Sequence, residues 1–466
     1  MIRLDPAGLA LDDLLAIARH DQPADFSEAA RERIEAGHRL LVQLVAAGTP
    51  IYGVTTGLGA AVDTCVSPDD LQVQARIPLG RSVGVGRLAN RAELRAIMAA
   101  RLAGLAQGRS GISPTAAQGL LALLNGGSEP EVPLSGSLGE ADLAPLAHLS
   151  LALHGVALTG KDGLALVSAN AASIGLGALL VAEAAQALHA LQAALALSCE
   201  GYRANLAPFQ PWASRLRPAP GQAQASQALL HLLEGGELAA SARRLQDPLS
   251  FRCSTVVAGA AQHALQQLRE SVEMELASGA DNPALIHEES WVLATANFDS
   301  THLALAAEGL GLALSRVAVC SAERVAKLLS PASSELPRFL IRQPGHVGMA
   351  ALQRTSAALL ADIGHLANPL PAVVVPVADR VEDYAGQALA AVDKTRRLTE
   401  RVVWLASIEL IVAAQAVDLR GNLRLGQGTR LIHQAVRSQV APLDQDRSGA
   451  VDLQALSAFI DSGGLP

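Results

Sequence analysis

From Gly136 the chain reads Gly136-Ser137-Leu138-Gly139-Glu140-Ala141-Asp142-Leu143-Ala144-Pro145-Leu146-Ala147-His148. The small residues at its start permit tight turning and close packing. Leu143, Leu146 and Leu149 follow at helical spacing, with Asp142 as the expected N-cap. A loop entering a helix in this way presents backbone N–H groups to whatever lies in front of it; a plain loop cap has the same local pattern. A second loop, Ile51-Tyr52-Gly53-Val54-Thr55-Thr56-Gly57-Leu58-Gly59, places a phenol on a Gly- and Thr-rich segment. A tyrosine acts as a base near neutrality only where nearby cations favour its ionised form; otherwise it is a surface anchor. Arg252, in Gln246-Asp247-Pro248-Leu249-Ser250-Phe251-Arg252-Cys253, suits bidentate binding of a carboxylate or a salt bridge within the protein. Glu382-Asp383 has the look of a solvated helix start.

The order of these segments resembles the histidine ammonia-lyase and aromatic amino acid lyase family. There the central loop reads Gly-Ser-(Val/Leu)-Gly-Ala-Ser-Gly-Asp-Leu-Ala-Pro-Leu-Ala-His, and its Ala-Ser-Gly triad cyclises into a methylidene-imidazolone electrophile. Here both flanks match, but only Glu140-Ala141 lies between Gly139 and Asp142, without the serine whose side chain supplies the methylidene carbon. The expectation is a chain without the prosthetic group and with no other cofactor. The tyrosine loop is similar to the family's Tyr-Gly-(Ile/Val)-Asn-Thr-Gly-Phe-Gly, which implies Tyr52 as catalytic base. Gly80-Arg81-Ser82-Val83-Gly84-Val85-Gly86 stands where histidine-specific members carry Ser-His-Ala-Ala-Gly-Val-Gly, so Arg81 replaces a ring-holding histidine. Lys161–Asn170 resembles Lys-Glu-Gly-Leu-Ala-Leu-(Leu/Ile)-Asn-Gly-Thr-Gln, which puts the active-site asparagine on Ser168. Gln246–Cys253 resembles Gln-Asp-(Pro)-Tyr-Ser-Leu-Arg-Cys, keeping Gln246 and the carboxylate-binding Arg252 but placing Leu249 at the tyrosine. Ser278-Gly279-Ala280-Asp281-Asn282-Pro283 and Ala296-Asn297-Phe298-Asp299 are similar to Ser-Asp-Asn-Pro and Gly-Asn-Phe-His, and Asn297 and Phe298 are expected to line the pocket. Val381-Glu382-Asp383-Tyr384 resembles (Gln/Val)-Glu-Asp-His, which makes Glu382 an active-site glutamate.

The elements that must position these residues read as helices. Half of the residues are hydrophobic and 3% aromatic, a mix that favours close helix packing. Helical patterns run over Leu9–Arg19, Ser27–Ala46, Arg91–Leu105, Thr115–Leu124, Ile174–Arg203, Ser300–Leu329 and Gln387–Arg420. The fold class expected is mainly all-α: a long central helical bundle with a smaller loop-rich N-terminal region, spanning 1–205, and the bundle and C-terminal region in 206–466. The uncharged run Gly163–Ala182 is long enough to span a membrane, but its glycines, alanines and polar residues fit a buried bundle helix better. A net charge of −8 excludes the basic footprint of a nucleic-acid binder and suits a cytoplasmic enzyme. The N-terminus lacks the pattern of a signal peptide. Cys65, Cys199, Cys253 and Cys320 have no metal or redox spacing and read as buried free thiols. Asp444-Gln445-Asp446-Arg447-Ser448-Gly449 imitates half an EF-hand loop, but Ala455 stands where the bidentate glutamate belongs, so no metal is expected.

The resemblance implies a homotetramer in which loops of three subunits build each active site. Retained residues would bind a carboxylate and remove a β-proton; the altered ones would have activated an amine. The first expectation is therefore a lyase acting without the electrophile on a substrate whose nitrogen is already quaternary, such as a betaine of a histidine-like amino acid, as ergothionase eliminates trimethylamine from ergothioneine. Arg81 would hydrogen-bond a ring acceptor and Glu140 would face the cation. The alternatives are a cyclase, isomerase or conjugate-addition enzyme using Tyr52 as acid/base, and a non-catalytic binding or regulatory homologue.

Overall fold

The structure, a computed structural model, describes residues 1–67, 73–371 and 375–466. In chain order the helices are α1 (Leu11–Arg19), α2 (Glu28–Ala46), α3 (Val73–Arg81), α4 (Arg91–Ala106), α5 (Pro114–Gly126), α6 (Leu143–Leu151), α7 (Asp162–Val167) and α8 (Ala171–Tyr202). They continue with α9 (Pro211–Leu216), α10 (Gln222–Leu232), α11 (Leu249–Arg252), α12 (Ser254–Leu276), α13 (Thr301–Leu328) and α14 (Pro331–Ser334). The last are α15 (Ala350–Leu366), α16 (Ala388–Arg420), α17 (Gln427–Gln439) and α18 (Gly449–Asp461). Short strands form two-stranded pairs: Ile2–Leu4 with Ala24–Phe26 in parallel, and Val85–Leu88 with Pro133–Ser135 and Ala284–Ile286 with Trp291–Leu293 antiparallel.

The mainly helical class is as expected, and each helical pattern read from the sequence is a helix. Among the longer helices, α12, α15, α17 and α18 were not anticipated. The chain divides into two compact units, one of Met1–Leu180, Leu268–Ala307 and Leu370–Asp393, the other of Val181–Gln267, Glu308–Pro369 and Lys394–Pro466. It passes between them inside α8, α12, α13 and α16 and once more between residues 369 and 370.

In the first unit, Leu40 and Leu41 of α2 pack with Ile51, Val54 and Leu285. Ile51 and Val54 flank Tyr52, so this cluster seats the tyrosine loop. Arg95 of α4 is buried and donates to carbonyls at the ends of α1 and α5, Ile17 at 2.8 Å and Leu124 at 2.8 Å, groups that have no partner within their own helices.

In the second unit, α8 ends at Tyr202 because Arg203 adopts a left-handed φ of 63°. Its sequence is Ala- and Leu-rich with no proline and most of it is buried, its one partly exposed face carrying Glu183, Gln186, His189 and Gln192. Gly201 lets it approach α16, since a Cβ there would lie 2.9 Å from the Cβ of Ala416. Among the described residues, three helical stretches are long and apolar enough to cross a membrane by length and composition; in the one over Asp162–Tyr202, 94% of the most apolar window is buried inside the protein. Arg324 and Glu409 form a buried pair, Nε to Oε1 at 2.5 Å and Nη2 to Oε2 at 2.8 Å. Ser198 Oγ donates to Glu409 at 2.7 Å, and Arg324 Nη1 donates to the Ser250 carbonyl at 3.0 Å. Of the cysteines only Cys199 is buried; Cys65 is exposed and Cys253 and Cys320 are half-buried, which corrects the expectation of four buried thiols.

The Arg324–Glu409 pair predicts a stability asymmetry. Arg324→Leu leaves Glu409 buried without its ion-pair partner and should cost about 3–5 kcal/mol. Arg324→Leu with Glu409→Leu should recover most of that loss, as read from chemical-denaturation midpoints.

Candidate active site

The central loop is pinned at both ends. Asp142 precedes α6, yet its carboxylate does not cap that helix. It reaches the first turn of α8, accepting from Ser173 N at 2.7 Å and Ser173 Oγ at 2.8 Å, while its own N–H donates to the Ala169 carbonyl at 2.8 Å. Ser137 Oγ instead accepts from Ala144 N at 3.2 Å and caps α6. The expected N-cap is thus a cap for a different helix. Burial pushes the Asp142 carboxyl up to about 6 against the pull of those hydrogen bonds.

Before Asp142 the backbone is left-handed at Gly139 (φ 113°) and Ala141 (φ 71°). A Cβ at Gly139 would lie 2.4 Å from Gln387 N, so only glycine lets the 386–387 segment pack here. Glu140 pairs as an isolated antiparallel bridge with Asp299. Asp299 in turn accepts from Thr301 N at 3.1 Å and Thr301 Oγ1 at 3.2 Å, and Thr301 Oγ1 is hydrogen-bonded to the Tyr384 hydroxyl.

The tyrosine loop folds on itself. Thr55 Oγ1 accepts from Ile51 N at 2.7 Å, and Gly57 N donates to the Thr64 carbonyl at 2.9 Å. Gly59 N donates to the Tyr52 hydroxyl at 2.9 Å, placing a backbone donor on the phenol oxygen. A Cβ at Gly59 would stand 3.4 Å from Glu382 Oε1, so Glu382 lies against the same turn. Glu382 itself is held by a bridge to Val377, across Ala378, Asp379 and Arg380, all with positive φ. Burial, with the charge of Glu382 adding to it, raises the Glu140 carboxyl, and Glu140 Oε1 is buried with no hydrogen-bond partner among the described residues. Tyr52, Glu140 and Glu382 are therefore brought together, from segments far apart in the chain.

The remaining first-unit candidates surround this group to different degrees. Ser168 ends α7, half-buried, and donates its N–H to Leu164 O at 2.9 Å. Two residues on, the buried Asn170 donates Nδ2 to the Phe298 carbonyl at 2.6 Å, tying Phe298 to the start of α8. Asn297 is exposed, and its N–H donates to Thr295 Oγ1 at 3.4 Å. Arg81 is the last residue of α3, half-buried. The turn after it docks on the central motif, Gly84 N donating to His148 Nε2 at 3.1 Å. This requires the imidazole with its proton on Nδ1.

Gln246 and Arg252 belong to the other unit. Their segment is anchored by Asn205, whose N–H donates to Asp247 at 2.5 Å, and by Phe251, stacked on Tyr202 with centroids 4.4 Å apart. Gln246 is exposed and Arg252 half-buried; among the described residues Arg252 has no carboxylate partner, so the salt-bridge alternative is not realised. Leu249, at the tyrosine position, is 64% exposed.

Sequence reasoning did not single out Glu275. This α12 carboxyl is buried, with His302 Nε2 at 3.5 Å; burial first, then Asp142 and Asp299, push it up to about 7. The signal was absent because its acidic neighbours come from other segments. Among the described residues no group of His, Cys, Asp and Glu could hold a metal ion. In the half EF-hand, Asp446 is occupied in accepting from Val347 N and Gly348 N, each at 2.8 Å.

A mainly helical scaffold carrying these loops defines a class. The aromatic amino acid lyase profile matches residues 9–158 and 153–438, and the chain belongs to that family of amine-eliminating lyases. It is 33% identical to histidine ammonia-lyase of Stigmatella aurantiaca, covering 100% of this chain and 97% of that protein. It is 35% identical to histidine ammonia-lyase of Anaeromyxobacter dehalogenans (strain 2CP-C), covering 99% of each. Among solved structures, ergothionase from Treponema denticola in complex with desmethyl-ergothioneine sulfonic acid superposes with a TM-score of 0.94 at 29% identity, covering 100% of this chain and 99% of that one. Tyrosine aminomutase from Streptomyces globisporus gives 0.92 at 27%, covering 100% and 97%.

Glu275 sets a pH dependence. A carboxyl raised from its ordinary value of 4.5 to about 7 keeps its proton in the folded state after the unfolded chain has lost it. Its contribution to stability is full below pH 4.5 and is lost as pH rises through about 7. Glu275→Gln, neutral throughout, should flatten that decline by an amount on the order of 3 kcal/mol, read from urea midpoints between pH 4 and 8.

Proposed function

We propose that this chain is a lyase that eliminates a tertiary amine from the betaine of a histidine-like or aromatic amino acid, without a methylidene-imidazolone group. The observation that carries the reading is Glu140. It stands in the two-residue span Glu140-Ala141 where the family's triad would be, with a buried oxygen that has no hydrogen-bond partner among the described residues and the charge of Glu382 beside it. Two neighbouring carboxylates disfavour each other's ionisation, and a fixed cation between or before them relieves this. The loop contains no serine to dehydrate between Gly139 and Asp142. The likeness to ergothionase supports the same substrate class.

In this mechanism the Tyr52 oxygen, held in place by the Gly59 N–H, takes the β-proton. The C–H electron pair becomes the Cα–Cβ double bond, and the Cα–N bond breaks with its electrons leaving on nitrogen. A quaternary ammonium departs as a neutral amine, so no electrophile is needed to improve the leaving group. Arg252 binds the carboxylate bidentately; Arg81, Ser168, Gln246, Asn297 and Phe298 hold the rest of the substrate. On this reading the working form is a cytoplasmic homotetramer. Exposed apolar residues on α13, Leu312 at 41% and Val319 at 44%, support burial against further copies. The likeness to tyrosine aminomutase favours, as a second reading, an isomerase on the same scaffold, which would retain the amine.

Histidine, tyrosine and phenylalanine screened against their N-trimethyl betaines and ergothioneine, with amine release and conjugated-acid absorbance both followed, should give turnover only on the betaines. Tyr52→Phe should then reduce kcat by roughly 10²–10⁴-fold with little change in affinity. Turnover of the free amino acids alone would overturn the betaine assignment. In a separate measurement, the intact mass should equal that of the unmodified chain, and loss of water within 139–142 would overturn independence from the prosthetic group.

A further inference from the structure

We infer that Gln74 is a positioning residue that sets the place of the Tyr52 loop. Its side chain is buried, 5% exposed, in the first turn of α3. Its Nε2 donates to the carbonyl of Gly53, the residue after Tyr52, at 3.0 Å. Its Oε1 accepts from Leu164 N at 3.2 Å. Leu164 N lies in the first turn of α7, where N–H groups have no partner within the helix. The α7 N-cap residue, Lys161, supplies no side-chain cap. One amide therefore satisfies a loop carbonyl and a helix N–H at once.

The spacing leaves no slack. A Cβ at Gly163 would fall 1.9 Å from the Gln74 carbonyl oxygen, so α7 is pressed against the α3 backbone. A Cβ at Gly53 would meet Leu164 Cδ2 at 2.6 Å, so the tyrosine loop is pressed on α7 as well. The three segments joined here carry three of the candidate residues: Tyr52 on the loop, Arg81 at the end of α3 and Ser168 at the end of α7. A buried carbonyl and N–H left unpaired must move towards water or another partner. Any such movement displaces the phenol oxygen, whose donor, Gly59 N, lies on the same loop.

The catalytic consequence rests on Tyr52 being the base; the structural one rests on geometry alone, and the two are read separately. The protein contains three tyrosines, Tyr52, Tyr202 and Tyr384, so 3-fluorotyrosine labelling gives three fluorine resonances assignable by Tyr→Phe substitution. Tyr202 is 0% exposed and stacked on Phe251 in the other unit, and serves as the internal reference. Gln74→Leu should shift the Tyr52 resonance and speed amide exchange over residues 51–59, leaving Tyr202 in place. Gln74→Glu keeps an acceptor for Leu164 N but sets an oxygen against the Gly53 carbonyl. It should move Tyr52 while α7 stays protected, and it decides alone if Gln74→Leu does not fold. On ergothioneine, kcat should fall about 10–100-fold with KM little changed, since small misplacements of a reacting group carry losses up to about 10²-fold. A Tyr52 resonance unmoved in every folded variant would overturn the inference. A moved resonance combined with an active Tyr52→Phe enzyme would instead overturn only the assignment of Tyr52 as base.

Discussion

The carboxylate of Asp142 beneath the first turn of α8 is the contact on which the first unit's loops depend. The turn offers N–H groups with no partner in the helix, and an anion there is favoured by the helix dipole. Asp142 answers with both oxygens on Ser173, and its own N–H closes on Ala169. Burial outweighs these attractions, which is why its carboxyl sits at about 6 rather than below its ordinary value. With Asp142 fixed, the preceding residues have little choice. Ala141 is held left-handed at a cost of roughly 1–2 kcal/mol for a residue with a Cβ, and Glu140 is laid along Asp299.

Much of the scaffold was legible because long Ala- and Leu-rich stretches without proline have few alternatives to a helix. The boundaries of α8, α13 and α16 lie within a few residues of the expected ones. The pattern of α12 was also present, with Ala261, Ala264, Leu268, Val272 and Leu276 buried at intervals of three or four. Its Gln- and Glu-rich outer face weakens the apolar signal, and the helix was passed over.

The candidate site was legible as a set of positions but not as an arrangement. Tyr52 and Glu382 were identified through the wording of their segments; that they meet at Gly59 depends on a turn and on a strained 378–380 backbone, neither of which has a local sequence sign. Asp142 shows the same limit from the other side. Its position before α6 was read correctly, and its partner was not, because the competing donor lies 31 residues further on. Gln74 and Glu275 act through contacts between distant segments, so neither stands out in its own stretch of sequence.

Taken together, the carboxyl groups of the first unit point to how the site handles charge. Asp142, Glu275 and Asp299 influence one another, and Glu140 and Glu382 do so beside them. Carboxylates crowded at low dielectric must be protonated, hydrogen-bonded or matched with a cation. Glu275, at about 7, takes the first course, while Asp142 and Asp299 take the second, accepting from Ser173 and Thr301. Glu140 has neither remedy in full, since one of its oxygens is buried without a partner among the described residues. On the proposed mechanism the third remedy arrives with the substrate. A quaternary nitrogen has no N–H to donate and asks only for negative potential, which an unpartnered carboxylate supplies; a primary ammonium would need acceptors placed for its hydrogen bonds. The same charge that makes Glu140 costly in the free protein would thus select the substrate whose amine leaves without assistance.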